Sequence, residues 1–288
     1  MRIGLSTPVV LQVPGAASAW ERDADAGDLV RIAQVADQLG FEYLTCAEHV
    51  AVPVDESAQR GAAYWDPLAT LSFLAARTTR IRLATSVLVL GYHHPLAIAK
   101  RYGTLDRLSG GRLILGVGVG SLRAEFDLLG APFADRGERA DDAVRALRAS
   151  LSVSRPEYHG TYFRYGPMLV EPCAAQPRVP IWVGGRTRRS LRRAVELADG
   201  WMPFGLRDDE LARLLAQTEL PAGFEVVLST GRAIDPIGDP SGSSDRLRRL
   251  QAAGATAITG VVGADSADHY CDQLAALREL AADVGENA

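Results

Sequence analysis

Cysteine is scarce in this chain. The three present (Cys46, Cys173 and Cys271) are odd in number, far apart and form no CxxC pair, which argues against a disulfide framework and against a structural zinc site. A surplus of charge of one sign is also lacking. Thirty-one basic against 35 acidic residues leave a net charge of −4, so nothing draws the protein generally to nucleic acid or to anionic membranes. No apolar run approaches the ~18 residues a bilayer span requires. Repeats of 20–50 residues and low-complexity tails are absent as well. Arg2–Ser6 reads as a strand that begins at once, so no signal peptide and a cytoplasmic location are expected. What is present is an ordinary core-forming composition: 47% hydrophobic and 23% charged over 288 residues, a length normal for one α/β barrel.

Short apolar runs recur at Arg2–Ser6, Tyr43–Ala47, Ile81–Leu90, Arg112–Val119, Pro180–Val183, Trp201–Phe204, Phe224–Leu228 and Ala257–Val262. Their near-continuous apolar character suits parallel strands covered on both faces. Between them lie stretches of helical spacing. Leu29, Ile32, Ala33, Ala36 and Leu39 share a face that ends at Gly40, and Ala140, Val144, Leu147 and Leu151 repeat the pattern. Leu191–Ala198, Leu247–Leu250 and Tyr270–Leu280 do the same. Strand and helix alternating from end to end imply a parallel α/β architecture, either a closed barrel or an open doubly wound sheet. Eight strand candidates, glycine-bounded and without a phosphate fingerprint after the first, favour a (β/α)8 TIM barrel. One domain over 1–288 is expected. It carries an aromatic hairpin inserted at about 155–179, before the fifth strand, and a Gly/Pro/Asp/Ser-rich loop at 231–244.

In a barrel of this kind the chemistry belongs past the strand ends. Glu48-His49 follows the second strand, and a carboxylate beside an imidazole can move protons or hold a bound ring. The plainer reading is a surface-loop histidine. The third run outlasts a barrel strand, so a bulge near Ser86 is expected. His93-His94-Pro95 then opens a helix; adjacent histidines diverge, and no metal site is expected. Gly116-Val117-Gly118-Val119-Gly120 has GxGxG spacing, a weak dinucleotide signal, and reads better as backbone that a flat ligand approaches closely. Gly184-Gly185 opens a helix, a physical anion site, with Arg186, Arg188 and Arg189 where the dipole is already positive. The alternative there is a solvated basic face continuing through Arg192 and Arg193.

In this order, these strand ends resemble the bacterial luciferase-like monooxygenase superfamily, and most nearly its actinobacterial branch that uses the deazaflavin coenzyme F420. Glu48-His49, Ala84–Leu88, Gly116–Gly120, Arg136–Arg139, the Gly160–Phe163 hairpin, Pro180–Gly185, Arg193-Ala194 and Asp199-Gly200-Trp201 carry the likeness, over residues 1 to about 205. The resemblance implies a ring lying on a strand-three bulge with a non-proline cis peptide at Ser86–Val87. Glu48, Ser86, Val87, Gly118 and Gly120 would line it, and His49 would be the proton donor or acceptor. Gly184, Gly185, Arg186 and Thr187 would hold the cofactor phosphate, and the arginines could also meet the polyglutamate tail of F420. Sugar-phosphate dehydrogenases of this branch carry a catalytic glutamate where this chain has Ser121, so that substrate class is not expected. Glu125, one helical turn on, reads as a structural helix carboxylate. The implied activity is F420-dependent hydride transfer to or from a small organic substrate, with a homodimer implied by family habit. The alternatives are an FMN-dependent monooxygenase served by a partner reductase, and a non-catalytic flavin-binding protein. The substrate pocket would be shaped by Pro8–Pro14, the loop after His49, Trp65 and the aromatic insertion.

Overall fold

A computed structural model describes residues 1–286. Eight strands alternate with eight main helices: β1 Arg2–Ser6, α1 Ala26–Gln38, β2 Tyr43–Cys46, α2 Pro67–Ala75, β3 Arg82–Thr85, α3 Pro95–Leu108, β4 Leu113–Gly118 and α4 Arg136–Ser150. The second half runs β5 Ile181–Gly184, α5 Arg188–Leu197, β6 Gly200–Met202, α6 Asp208–Ala216, β7 Glu225–Ser229, α7 Pro240–Ala252, β8 Ala257–Gly260 and α8 Ala267–Glu286. All barrel pairings are parallel. β1 pairs with β8 (Ile3 opposite Ile258), and β3 pairs with β4 (Leu83 opposite Leu113), which closes the ring into a TIM barrel. Closure removes the sheet's edges and points all eight strand ends at one face. Among the described residues, no helix is long and apolar enough to cross a membrane.

The barrel interior is a cluster of its own: Tyr43, Ala84, Ile114, Trp182, Met202, Val227 and Ala257, one from each of β2 to β8. β1 contributes Gly4, where a Cβ would stand 2.4 Å from the Tyr43 ring. Tyr43 meets Trp182 edge-on and bonds Thr259 Oγ1 at 2.8 Å. Around the barrel, Leu29, Ile32, Ala33 and Ala36 of α1 are buried as their spacing requires, and Gly40 takes φ +75° after the helix. Two helices escape the period argument. α2 (PLATLSFLA) is apolar nearly all round, and α6 is short and buries only Leu211.

At the N-terminal face, buried carboxylates tie strands to helices. Asp37 of α1 accepts the amides of Thr79, Arg80 and Ile81 ahead of β3. Asp106 of α3 accepts those of Leu113, Ala175 and Gln176. The insertion holds the expected hairpin, Tyr158–His159 antiparallel to Arg164–Tyr165. The expected loop at 231–244 is shorter than its composition suggests. α7 begins inside it at Pro240, with Asp239 accepting the Gly242 amide at 2.9 Å, and Ile234 is buried and bridged to Val262. Glycine, proline and serine there mark a capped helix start as well as a turn.

Candidate functional site

β3 ends at Thr85, and the chain does not simply leave the barrel. The Ser86–Val87 peptide is cis. Leu88–Val89 then resumes as a two-residue strand outside the ring, beside β4 (Leu88 opposite Val117, Val89 opposite Gly118). The Val87 side chain points across the top of the barrel. A Cβ on Gly118 would lie 2.6 Å from its Cγ2, and one on Gly184 would lie 2.7 Å from its Cγ1. The glycines of β4 and β5 therefore make room for Val87, where the sequence suggested room for a flat ligand directly. Gly120 (φ +76°) similarly clears Phe126 and Val89. Ser86 and Val87 remain half-buried, open to the face where the strand ends converge.

His49 follows β2 and is half-buried beside this bulge. Its Nδ1 lies 2.8 Å from Glu125 Oε2. Glu125 sits on the short helix Arg123–Leu128 after β4 and is buried. It also accepts from Tyr92 Oη at 2.6 Å, from the Val50 amide, and from the Ala51 amide at 3.2 Å. Burial pushes this carboxyl up, but the hydrogen bonds from Tyr92, His49 and the Val50 amide outweigh it and hold Glu125 below the usual carboxylate range. Burial and the same Glu125 contact push the Tyr92 phenol well up, so it donates. An ionised Glu125 needs a donor, which places a His49 proton on Nδ1; in the neutral imidazole Nε2 is then the acceptor. Nε2 has no protein partner among the described residues. Glu125, read from sequence as a structural helix carboxylate, is thus bonded directly to the candidate catalytic histidine.

Glu48, expected to line the ring, spends both oxygens inside the protein. Oε2 accepts the Val89 amide at 2.6 Å, and Oε1 meets His93 Nε2 at 2.6 Å. Neighbours 48 and 49 therefore turn to different partners. His93 and His94 diverge too: His94 caps α3, its Nδ1 accepting the Leu96 amide at 3.2 Å, with Pro95 at the first helical position.

Two loops pair with each other, and the second brings Tyr64 against His49. Leu11 bridges Tyr64, the Gln12 amide bonds Ala63 O at 3.1 Å, and the Trp65 amide bonds Val10 O at 3.0 Å. The Tyr64 ring stands edge-on to His49, centroids 4.5 Å apart. The first loop turns at Val9, whose φ of 72° is unusual for a β-branched residue and costs on the order of 1–3 kcal/mol. Buried Glu21 fixes that turn by accepting the Val9 and Ser18 amides.

Past β5, Gly185 takes φ +130°, a conformation that favours glycine. Thr187 then caps α5, its Oγ1 accepting the Ser190 amide at 3.2 Å. The amides of Arg188 and Arg189 have no carbonyl to meet inside the helix. Arg186, Thr187, Arg188 and Arg189 are exposed. Arg193 is not part of a solvated face: it is buried, bonded to Asp141 and at 2.8 Å to Gly137 O. The turn presents N–H donors and positive charge, which is the chemistry an anionic group needs. Gly184, Gly185, Arg186 and Thr187 thus lie together at one corner of the face. Val87, past β3, reaches over to Gly118 and Gly184, and His49 follows β2, the neighbour of β3.

The luciferase-like monooxygenase family matches residues 1–223. An uncharacterized protein of Mycobacterium tuberculosis is 31% identical over 262 residues, 85% of this chain and 91% of its own. The F420-dependent glucose-6-phosphate dehydrogenase of Microbacterium testaceum is 29% identical over 213 residues, 73% of this chain and 61% of its own. Among solved structures, the oxygenating constituent of 3,6-diketocamphane monooxygenase from the CAM plasmid of Pseudomonas putida, in complex with FMN, shares the fold. Its TM-score is 0.72 at 15% identity, covering 99% of this chain and 98% of that one.

Proposed function

The chain belongs to the luciferase-like monooxygenase family, and on that premise we propose that it is a coenzyme F420-dependent oxidoreductase in which His49 moves the proton that accompanies hydride transfer. That it is an oxidoreductase using a flavin-type cofactor follows from the family. The observation that carries the finer reading is the His49–Glu125 pair beside the Ser86–Val87 bulge: an imidazole of fixed tautomer with Nε2 unpartnered.

The residues present fit such a group. Val87 and Ser86 offer a half-buried apolar and hydroxyl platform, and the Gly184–Thr187 turn offers N–H groups and Arg186 to a phosphate. Arg186 and Arg188, both exposed, are suited to a polyanionic tail, which favours F420 over FMN. When bound, the deazaflavin supplies the two-electron hydride exchange at its ring carbon. His49 Nε2 accepts the hydroxyl proton of a substrate being oxidised, or returns one to a carbonyl being reduced. The Glu125 carboxylate stabilises the imidazolium so formed, and Tyr64 limits rotation of the ring. Orientation of this kind is a larger lever than acidity alone. Ser121 is exposed and in this reading supplies no proton.

The FMN complex of a protein with the same fold supports a second reading, an FMN-dependent monooxygenase supplied with reduced flavin by a reductase. Titration of the purified protein with F420 and with FMN, followed by absorbance and fluorescence, separates the two. Tighter binding of F420, with turnover on a panel of alcohols, carbonyls and enones, is the expected result. Tighter binding of FMN, with oxygen uptake on adding a reductase, overturns it.

A further inference from the structure

We propose that Glu48 and His93 form a latch that sets the position of Val87, making both positioning residues for the ring site. The proposal rests on the functional reading above for what Val87 supports, but the latch itself is a matter of hydrogen bonding. β2 and β3 pair in register up to Cys46 opposite Thr85. One more ladder bond forms, from the Ser86 amide to Cys46 O at 2.8 Å. The bulge at 86–87 then throws the chain out of register, so the backbone of residue 48 no longer meets it. The Glu48 side chain takes over, its Oε2 accepting the Val89 amide at 2.6 Å. Both ends of the bulge are thus pinned from the end of one strand: Ser86 by backbone and Val89 by a carboxylate.

A carboxylate on a flexible side chain holds a strand in place only if its other oxygen is fixed. His93 Nε2, 2.6 Å from Oε1, does this, and Glu48 is 8% exposed. The adjacent Tyr92 bonds Glu125, which bonds His49, the residue after Glu48. Three side-chain hydrogen bonds and two peptide links therefore close a ring, to which the bulge is tied at Val89 through Glu48. Displacing Glu48 frees Val89 and the Val87 seat, and it loosens the turn that aims His49.

The test compares full-length Glu48→Leu, His93→Leu and His93→Gln, the last keeping a donor within reach of Glu48. Hydrogen exchange of the Val89 amide in the protein without cofactor reads the latch alone. At least a ten-fold loss of protection in the leucine variants, with protection near wild type in His93→Gln, is expected. Dissociation constants for F420 and FMN should rise at least ten-fold in the leucine variants and recover in His93→Gln, with kcat reduced more than substrate KM is raised. Val89 protection unchanged in the leucine variants, or cofactor affinity within two-fold of wild type, overturns the proposal. If a leucine variant does not fold, His93→Gln against His93→Asn decides on the same readings, because asparagine is too short to reach. Should wild type bind neither cofactor, the functional reading falls, while Val89 exchange still judges the latch.

Discussion

His49 and Glu125 lie 76 residues apart in sequence and 2.8 Å apart in space, and the proposed proton transfer depends on that contact. His49→Ala is expected to lower kcat by about 10²–10⁴-fold, the usual worth of a general acid or base, with cofactor affinity little changed; steady-state kinetics beside a binding titration check this. Glu125→Gln keeps the shape but loses the charge that fixes the Nδ1 proton, so a loss of about 10–100-fold in kcat/KM is expected, with a lowered Tm as well, because the amide nitrogen meets donors from His49, Tyr92 and the Val50 turn. Gly118 makes a different point, since a Cβ there would stand 2.6 Å from Val87 Cγ2. Gly118→Ala should force Val87 aside at a cost of about 1–3 kcal/mol, as overpacking does, measurable by urea denaturation. His49 stood out as a candidate because a strand end in a barrel is where chemistry is expected. Glu125 was not, because nothing local distinguishes a helix carboxylate that faces solvent from one that faces a histidine of another loop.

Elements differ in how openly they announce themselves. α1 showed its buried face and its terminating glycine; α2 hid because a helix apolar on nearly all sides has no period to read. The body of α7 shows in the spacing of Leu247 and Leu250, but its start reads as loop, since Asp239-Pro240 followed by serine and glycine suits a turn equally. Its cap is a real contribution, and Asp239→Ala should cost about 1 kcal/mol, visible as a lowered denaturation midpoint. At α5 the basic run divides in a way that spacing alone did not reveal. Arg193 turns inward to Asp141, while Arg186 and Arg188 stay exposed. Replacing the latter two together with glutamine is expected to weaken F420 binding several-fold and to flatten its salt dependence, because exposed charge pairs are screened by salt. Titrations at low and high ionic strength test this.

At the scale of the whole molecule, buried and half-buried carboxylates tie loops and the hairpin insertion to the barrel. Asp37, Asp142, Asp199 and Glu125 are each pushed up by burial, yet their hydrogen bonds prevail and hold them below the usual range. Groups depressed in the folded state stabilise it above their unfolded pKa of about 3.9–4.3 and lose that contribution as pH falls through the folded values. Glu21, raised by burial against the pull of the Val9 and Ser18 amides, works in the opposite sense: its contribution is present at low pH and lost as pH rises. Four groups against one give an expected outcome of steady stability from about pH 7 to 5 and a decline below about pH 4, followed by urea midpoints across pH. Composition, strand–helix alternation and turn residues pointed to a parallel α/β fold, its hairpin and the face of the candidate site, because each is written in neighbours a few residues apart. Only closure of the ring decided that Glu48 would leave its neighbour for His93 and that His49 would find Glu125. Those partners are assigned by how the ends of β2, β3 and β4 converge, and no local pattern records a convergence across 45 or 76 residues.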